Sequence, residues 1–183
     1  MKKKLLALFI LGSAIIGTSC KKLEKATDQN ITLTSADVTF TITPKATSVQ
    51  AVELSSQTTT ADLDALIKKQ SPSFGLKNVK SLKIKTLTAE ITTGSEANNS
   101  FGNLSEISAI IEATGKTPFT ATYTGTGTGK IDKINFTVNN TVDLKDLISS
   151  GNLKYTLKSK VNTALTKDLT VKVVATYDVV VGF

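Results

Sequence analysis

Few residues in this chain could do chemistry. There is a single cysteine, Cys20, and no histidine at all among 183 residues. The absence of histidine removes Ser-His-Asp and Cys-His nucleophile systems, the commonest general base and any histidine zinc site. Chemistry would have to come from carboxylates, lysine or a hard metal. Hydrolysis by paired acids needs two carboxylates across a cleft, about 5–10 Å apart. Glu90, Glu96, Glu106 and Glu112 are available, but no spacing singles out a pair, and outward solvated charges account for them. Asp62 and Asp64 could be read as calcium ligands, yet acids at the start of a helix explain them more simply. No catalytic residue, metal site or cofactor is expected.

Residues 125–130, Gly-Thr-Gly-Thr-Gly-Lys, have the look of a phosphate loop and fail on detail. The residue five before Gly129 is Thr124, and Ile131 stands where Ser or Thr should follow Lys130. No helix pattern follows to hold a phosphate at its N-terminus. The stretch reads as a flexible hairpin connection.

The remaining chemistry is at the N-terminus. Lys2, Lys3 and Lys4 precede an almost unbroken apolar run over residues 5–16, then small Gly17, Thr18 and Ser19, then Cys20. That is an export signal, and its apolar core of about a dozen residues is too short for a bilayer span of roughly 20. The arrangement resembles a bacterial lipoprotein signal over residues 1–22, with Thr-Ser-Cys-Lys-Lys most like those of the Bacteroidota. The resemblance implies that Cys20 carries the lipid and becomes the mature N-terminus. The family usually has Leu, Val or Ile three residues before the cysteine, where this chain has Gly17. Gly17 and Ser19 also fit ordinary signal cleavage, which would leave Cys20 a free thiol without a disulfide partner.

Removing residues 1–19 leaves about 160 residues, enough for one domain with a sizeable core. It also leaves 19 basic residues against 15 acidic ones, a net charge of +4, and every basic residue is lysine. Exported, mildly basic and without arginine forks, the chain is a poor nucleic-acid binder. It also lacks tryptophan, which weakens the case for a sugar-stacking platform.

The elements that must position any site are mostly strands. Residues 20–36 read as a lipidated N-terminus and flexible tether, and residues 37–183 as the folded domain. Val38, Phe40 and Ile42 alternate with threonines until Pro44, the period-two pattern of a half-buried strand. Residues 49–54 are a weaker strand. Leu63, Leu66 and Ile67 have helical spacing, with Thr59 or Thr60 as N-cap and Pro72 beyond. Leu82 and Ile84 have one parity and Leu87, Ala89 and Ile91 the other, which predicts a bulge near Lys85–Thr86. Asn98-Asn99-Ser100 matches a glycosylation sequon, discounted beside a bacterial signal. Further strands follow at 107–113, 119–123 and 134–138, with a helical turn at 143–149 capped by Asp143. The strongest pattern is Leu169, Val171, Val173, Ala175, Tyr177, Val179 and Val181, read with residues 153–161 as a long C-terminal hairpin.

Seven to nine strands with one or two short helices predict an antiparallel, immunoglobulin-like β-sandwich, with an eight-stranded barrel as the alternative. The whole is similar to small β-sandwich lipoproteins of the Bacteroidota, a likeness that implies no activity. One echo stands out, Ser73-Phe74-Gly75-Leu76 and Ser100-Phe101-Gly102. Phe74 and Phe101 are the candidate exposed contacts for a partner, unless both rings plug the ends of the sandwich. The expected function is a non-enzymatic binding module. It would be held by lipid on Cys20 at the outer membrane or in the periplasm, with an envelope protein or glycan as partner. The alternatives are an assembly subunit of an outer-membrane complex and a carboxylate hydrolase.

Overall fold

The computed structural model describes residues 28–60 and 62–183. Cys20 and the expected signal segment, residues 1–19, lie outside them. Among the described residues, nine strands form two antiparallel sheets that face each other and do not close into a barrel. In chain order these are β1 (Gln29–Thr34), β2 (Val38–Ile42), β3 (Ser48–Thr60), β4 (Val79–Thr93) and β5 (Leu104–Glu112). They continue with β6 (Phe119–Tyr123), β7 (Lys133–Asn135), β8 (Asn152–Val161) and β9 (Leu169–Val181). The first sheet runs β1-β9-β4-β7, with β2 also on β9, and the second runs β3-β8-β5-β6. The domain is the expected all-β sandwich.

The period-two patterns fill the space between the sheets. Every odd-numbered residue of β9 from Leu169 to Val181 is buried, and Phe40, Ile42, Leu82, Ile84, Leu87, Ile107 and Ile111 join the same core. The parity change in β4 is absorbed as predicted. The strand stays continuous, and its register on β9 slips between Ile84 and Thr86. That bulge returns Leu87, Ala89 and Ile91 to the face of Leu82 and Ile84.

Three connections differ from expectation. The first is the supposed C-terminal hairpin. β8 pairs with β3 and β5, whereas β9 pairs with β1, β2 and β4. Residues 162–168 therefore arch from one sheet to the other. Parity shows that a strand has one buried face and says nothing of its neighbour in the sheet. The lysines of β8 consequently lie on an interior strand and guard no edge.

Next, residues 125–130 lead from β6 in one sheet to β7 in the other, so the glycines serve a crossover. Gly127 and Gly129 have φ of +69° and +79°, the left-handed region that glycine enters freely. Finally, residues 29–34, expected to lie in a flexible tether, form a strand. Gln29–Thr34 pairs with Thr176–Val181, a part of the β9 edge that β2, bonded to Leu169–Val173, leaves open. Backbone groups along that edge need partners, and β1 supplies them while burying Leu33.

Two short helices cover the gaps. In α1 (Leu63–Gln70) the cap is Asp62, whose Oδ1 accepts from the Ala65 amide at 2.9 Å. Thr58, Thr59 and Thr60 are held in the ladder opposite Lys154, Leu153 and Asn152, so neither threonine is free to cap. Leu63 and Ile67 face the core. Asp64 pairs with Lys68 at 2.5 Å and accepts the Leu76 amide at 2.7 Å. α2 (Lys145–Ile148) starts where Asp143 accepts the Lys145 amide at 2.9 Å and the Leu82 amide at 3.1 Å.

Candidate functional site

Cys20, the expected lipid site, lies outside the described residues. Phe74 and Phe101 do not form a contact surface. They are 4% and 1% exposed, and each plugs the core. Phe74 packs against Phe183 with ring centroids 4.9 Å apart. Phe101 is the first residue of a 3-10 turn, Phe101–Asn103, that is wholly buried. A loop position carries no periodicity from which to read its burial, so composition alone could not decide the point.

The carboxylates are not gathered either. Glu90 pairs with Lys133 at 3.3 Å, Glu106 with Lys160 at 2.7 Å, Glu112 with Lys154 at 3.9 Å, and Glu96 with Lys167. Each is a solvent-facing ion pair, of the kind worth about 0–1 kcal/mol. Asp62 and Asp64 are engaged by α1 and its neighbours, as described above.

At one end of the molecule a buried polar cluster ties three loops together. Asn99 Nδ2 donates to the carbonyls of Gly94 (3.0 Å) and Lys167 (3.3 Å), and its Oδ1 accepts the Thr166 amide at 2.9 Å. Ser100 Oγ accepts the amides of Gly102 and Ile131, both at 3.1 Å. Gly102 lies so close to the Gly129 carbonyl that a Cβ there would overlap it. With its side-chain bonding groups engaged inside the protein, the cluster is structural. The Asn98-Asn99-Ser100 sequon falls within it.

The arrangement best suited to chemistry is a cavity of about 320 Å³ where β1 turns into β2, under the N-terminal half of α1. Val38, Leu63, Leu66 and Ile148 supply apolar walls, and Tyr155 from β8 and Tyr177 from β9 face each other across the two sheets. Burial pushes the Tyr177 hydroxyl far above the ordinary tyrosine range, and the neighbouring Tyr155 adds to the effect. Burial also raises Tyr155, partly offset by the neighbouring Tyr177 hydroxyl. Both phenols are therefore neutral donors at physiological pH. At the mouth, Asp37 is paired with Lys172 at 3.0 Å and Asp62 is occupied as a cap. The cavity can hold an apolar body and offer it a hydroxyl.

Strand parity alone places both tyrosines facing inward and gives no sign of the cavity. The available signal was chemical. Two in-phase tyrosines inside a sandwich must each find a hydrogen-bond partner for a hydroxyl.

Comparison with known proteins leaves this geometry to speak for itself. No protein-family model matches the chain, and no curated protein matches it. A solved structure of infectious bursal disease virus, Gx strain, aligns at 14% identity over 97% of this chain, with a TM-score of 0.17. The alignment spans 46% of that viral chain, under half its length, and likeness at this level carries no argument.

Proposed function

We propose that the protein is a lipid-anchored module of the bacterial cell envelope that binds a ligand and performs no reaction of its own. The anchoring half of this reading rests on the first twenty residues, with Lys2–Lys4, the apolar run and the sole cysteine. The binding half is carried by the tyrosine-floored cavity between the sheets. The early start of β1 adds a geometric consequence. Eight residues, 21–28, separate Cys20 from β1, a reach of at most ~30 Å when fully extended. The Gln29–Val181 end of the sandwich would then stay close to the headgroups, with exposed Phe183 on that same end. Two or three acyl chains on one residue make a firm anchor, since each buried methylene contributes about 0.8 kcal/mol.

The test is metabolic incorporation of an alkyne fatty acid beside a Cys20→Ala control. Label on the wild type alone is the expected result. A wild-type chain that is exported without label would make this a soluble secreted domain.

A further inference from the structure

We propose that the cavity beneath α1 binds an uncharged, largely apolar molecule of about a dozen non-hydrogen atoms, whose single carbonyl-type acceptor docks on the Tyr155–Tyr177 hydroxyl pair. This rests on the reading of the protein as a binding module and gives the ligand its chemical class.

Size comes first. At about 320 Å³, the space is roughly twice the ~150 Å³ engineered cavity that accommodates benzene. Two fused rings or a short branched acyl ester would fill it. The walls set polarity. Val38, Leu63, Leu66 and Ile148 offer nothing to a charge, and an unpaired ion moved among such side chains is strongly disfavoured. At the mouth two carboxylates, Asp37 and Asp62, outnumber the one lining lysine, Lys69, so an anion meets net repulsion there. A cation finds Asp37 already paired with Lys172.

The hydroxyls set the polar group. Two phenols bring two O–H donors to the cavity lining, near enough for each to perturb the other's ionisation. Each hydroxyl can turn its donor toward a molecule held in the cavity. A ketone, ester or amide oxygen satisfies it, whereas a pure hydrocarbon leaves it bare. Tyr155 and Tyr177 come from strands in different sheets, so the docking point is held by the sandwich itself.

The experiment uses the full-length Cys20→Ala chain, which keeps every other residue and carries no acyl groups. Three probes of nearly equal size are compared by equilibrium dialysis: 2-acetylnaphthalene, 2-ethylnaphthalene and 2-naphthoate. The ketone should bind saturably, about fivefold tighter than the hydrocarbon, the worth of one neutral hydrogen bond. It should exceed the carboxylate at least ~10-fold, because the charge must be buried. Tyr155→Phe/Tyr177→Phe, which removes both donors, should erase the preference for ketone over hydrocarbon while both still bind. Ala65→Trp and Ala36→Trp, two exposed positions at the mouth, should each abolish binding with the melting temperature unchanged. Failure of the ketone to saturate, indifference to both tryptophans, or preference for the carboxylate would overturn the ligand class. The fatty-acid label separates the two readings. Label without ketone binding refutes only the ligand, and ketone binding without label refutes only the anchor.

Discussion

Asn78 and Gly182 clamp the start of β4 to the end of β9. The Gly182 amide donates to the Asn78 carbonyl at 2.9 Å, and Asn78 Nδ2 donates back to the Gly182 carbonyl at 3.4 Å. The other sheet repeats the device with Asn103, whose carbonyl accepts the amides of Asn162 (2.9 Å) and Thr163 (3.1 Å) just beyond β8. Each asparagine ends a 3-10 turn and accepts the amide three residues back, Gly75 or Ser100, both at 3.1 Å. The two sheets thus begin their central pairings with the same local motif.

Asn103 should be the more sensitive of the two. Its Nδ2 also donates to the carbonyls of Asn98 (2.8 Å) and Ala164 (3.1 Å). Asn103→Ala is expected to cost about 2–4 kcal/mol, since several buried groups lose their partner. Asn103→Asp should cost more at neutral pH, because it sets a carboxylate against two carbonyl oxygens. Those oxygens favour the protonated acid, so the introduced group's folded pKa would lie above the unfolded value of about 3.9. Its deficit relative to wild type should be smallest below pH ~4 and grow as pH rises. Urea midpoints at pH 3 and pH 7 would show this, and a deficit independent of pH would refute it.

Phe101→Ala should destabilise by about 3–5 kcal/mol, the cost of emptying a buried aromatic site. Phe74→Ala falls in the same range, whereas Phe183→Ala, at a position 70% exposed, should change stability by less than about 1 kcal/mol. Thermal unfolding of the three variants tests the order. A neutral Phe101→Ala would mean that its ring is not core.

The tyrosine pair should make the fold sensitive to alkali. Both phenols have pKa values raised by burial, so the stability they contribute is fully present below the unfolded pKa of about 10 and is lost as pH rises beyond it. Tyr155→Phe/Tyr177→Phe should flatten the fall in melting temperature between pH 9.5 and 11.5. An unchanged slope would place the alkaline sensitivity elsewhere.

Glu106 is the one described non-glycine residue with positive φ, at +52°. It sits where the β5–β8 register slips between Ser105 and Ser108. A β-branched side chain is poorly tolerated there, so Glu106→Val should cost about 1–3 kcal/mol. Glu106→Gly should lie within about 1 kcal/mol of wild type, because relief of backbone strain offsets the loss of an exposed ion pair. Equal effects of the two would rule out strain as the cause.

The echo of Ser-Phe-Gly shows how far local sequence reaches. Read as letters, the two copies are 27 residues apart and draw attention to the phenylalanines. In the structure the equivalent turns are Gly75 to Asn78 and Ser100 to Asn103, a spacing of 25, and the shared working residue is asparagine. Phe74 then falls before its turn and Phe101 inside its own. The candidate site was hidden for a related reason. Tyr155 and Tyr177 are legible as inward residues, but their meeting depends on β8 and β9 lying in opposite sheets. Taken as a hairpin, the two strands would have put their rings side by side on one sheet.

The sequence by itself determined the periodicities. These gave the all-β class, the inward face of almost every strand, the bulge in β4, the helix over residues 63–70, and the lack of histidine chemistry. All are consequences of short-range rules, the two-residue pleat and the preferences of capping and turn residues. Tertiary structure alone decided which strands pair, that β1 closes the β9 edge, that residues 125–130 and 162–168 cross between sheets, and that two tyrosines share a cavity. Those outcomes depend on contacts between residues such as Tyr155 and Gln57 or Leu33 and Tyr177, far apart in the chain. They are settled by burying apolar faces and satisfying backbone groups together, a requirement no single segment contains.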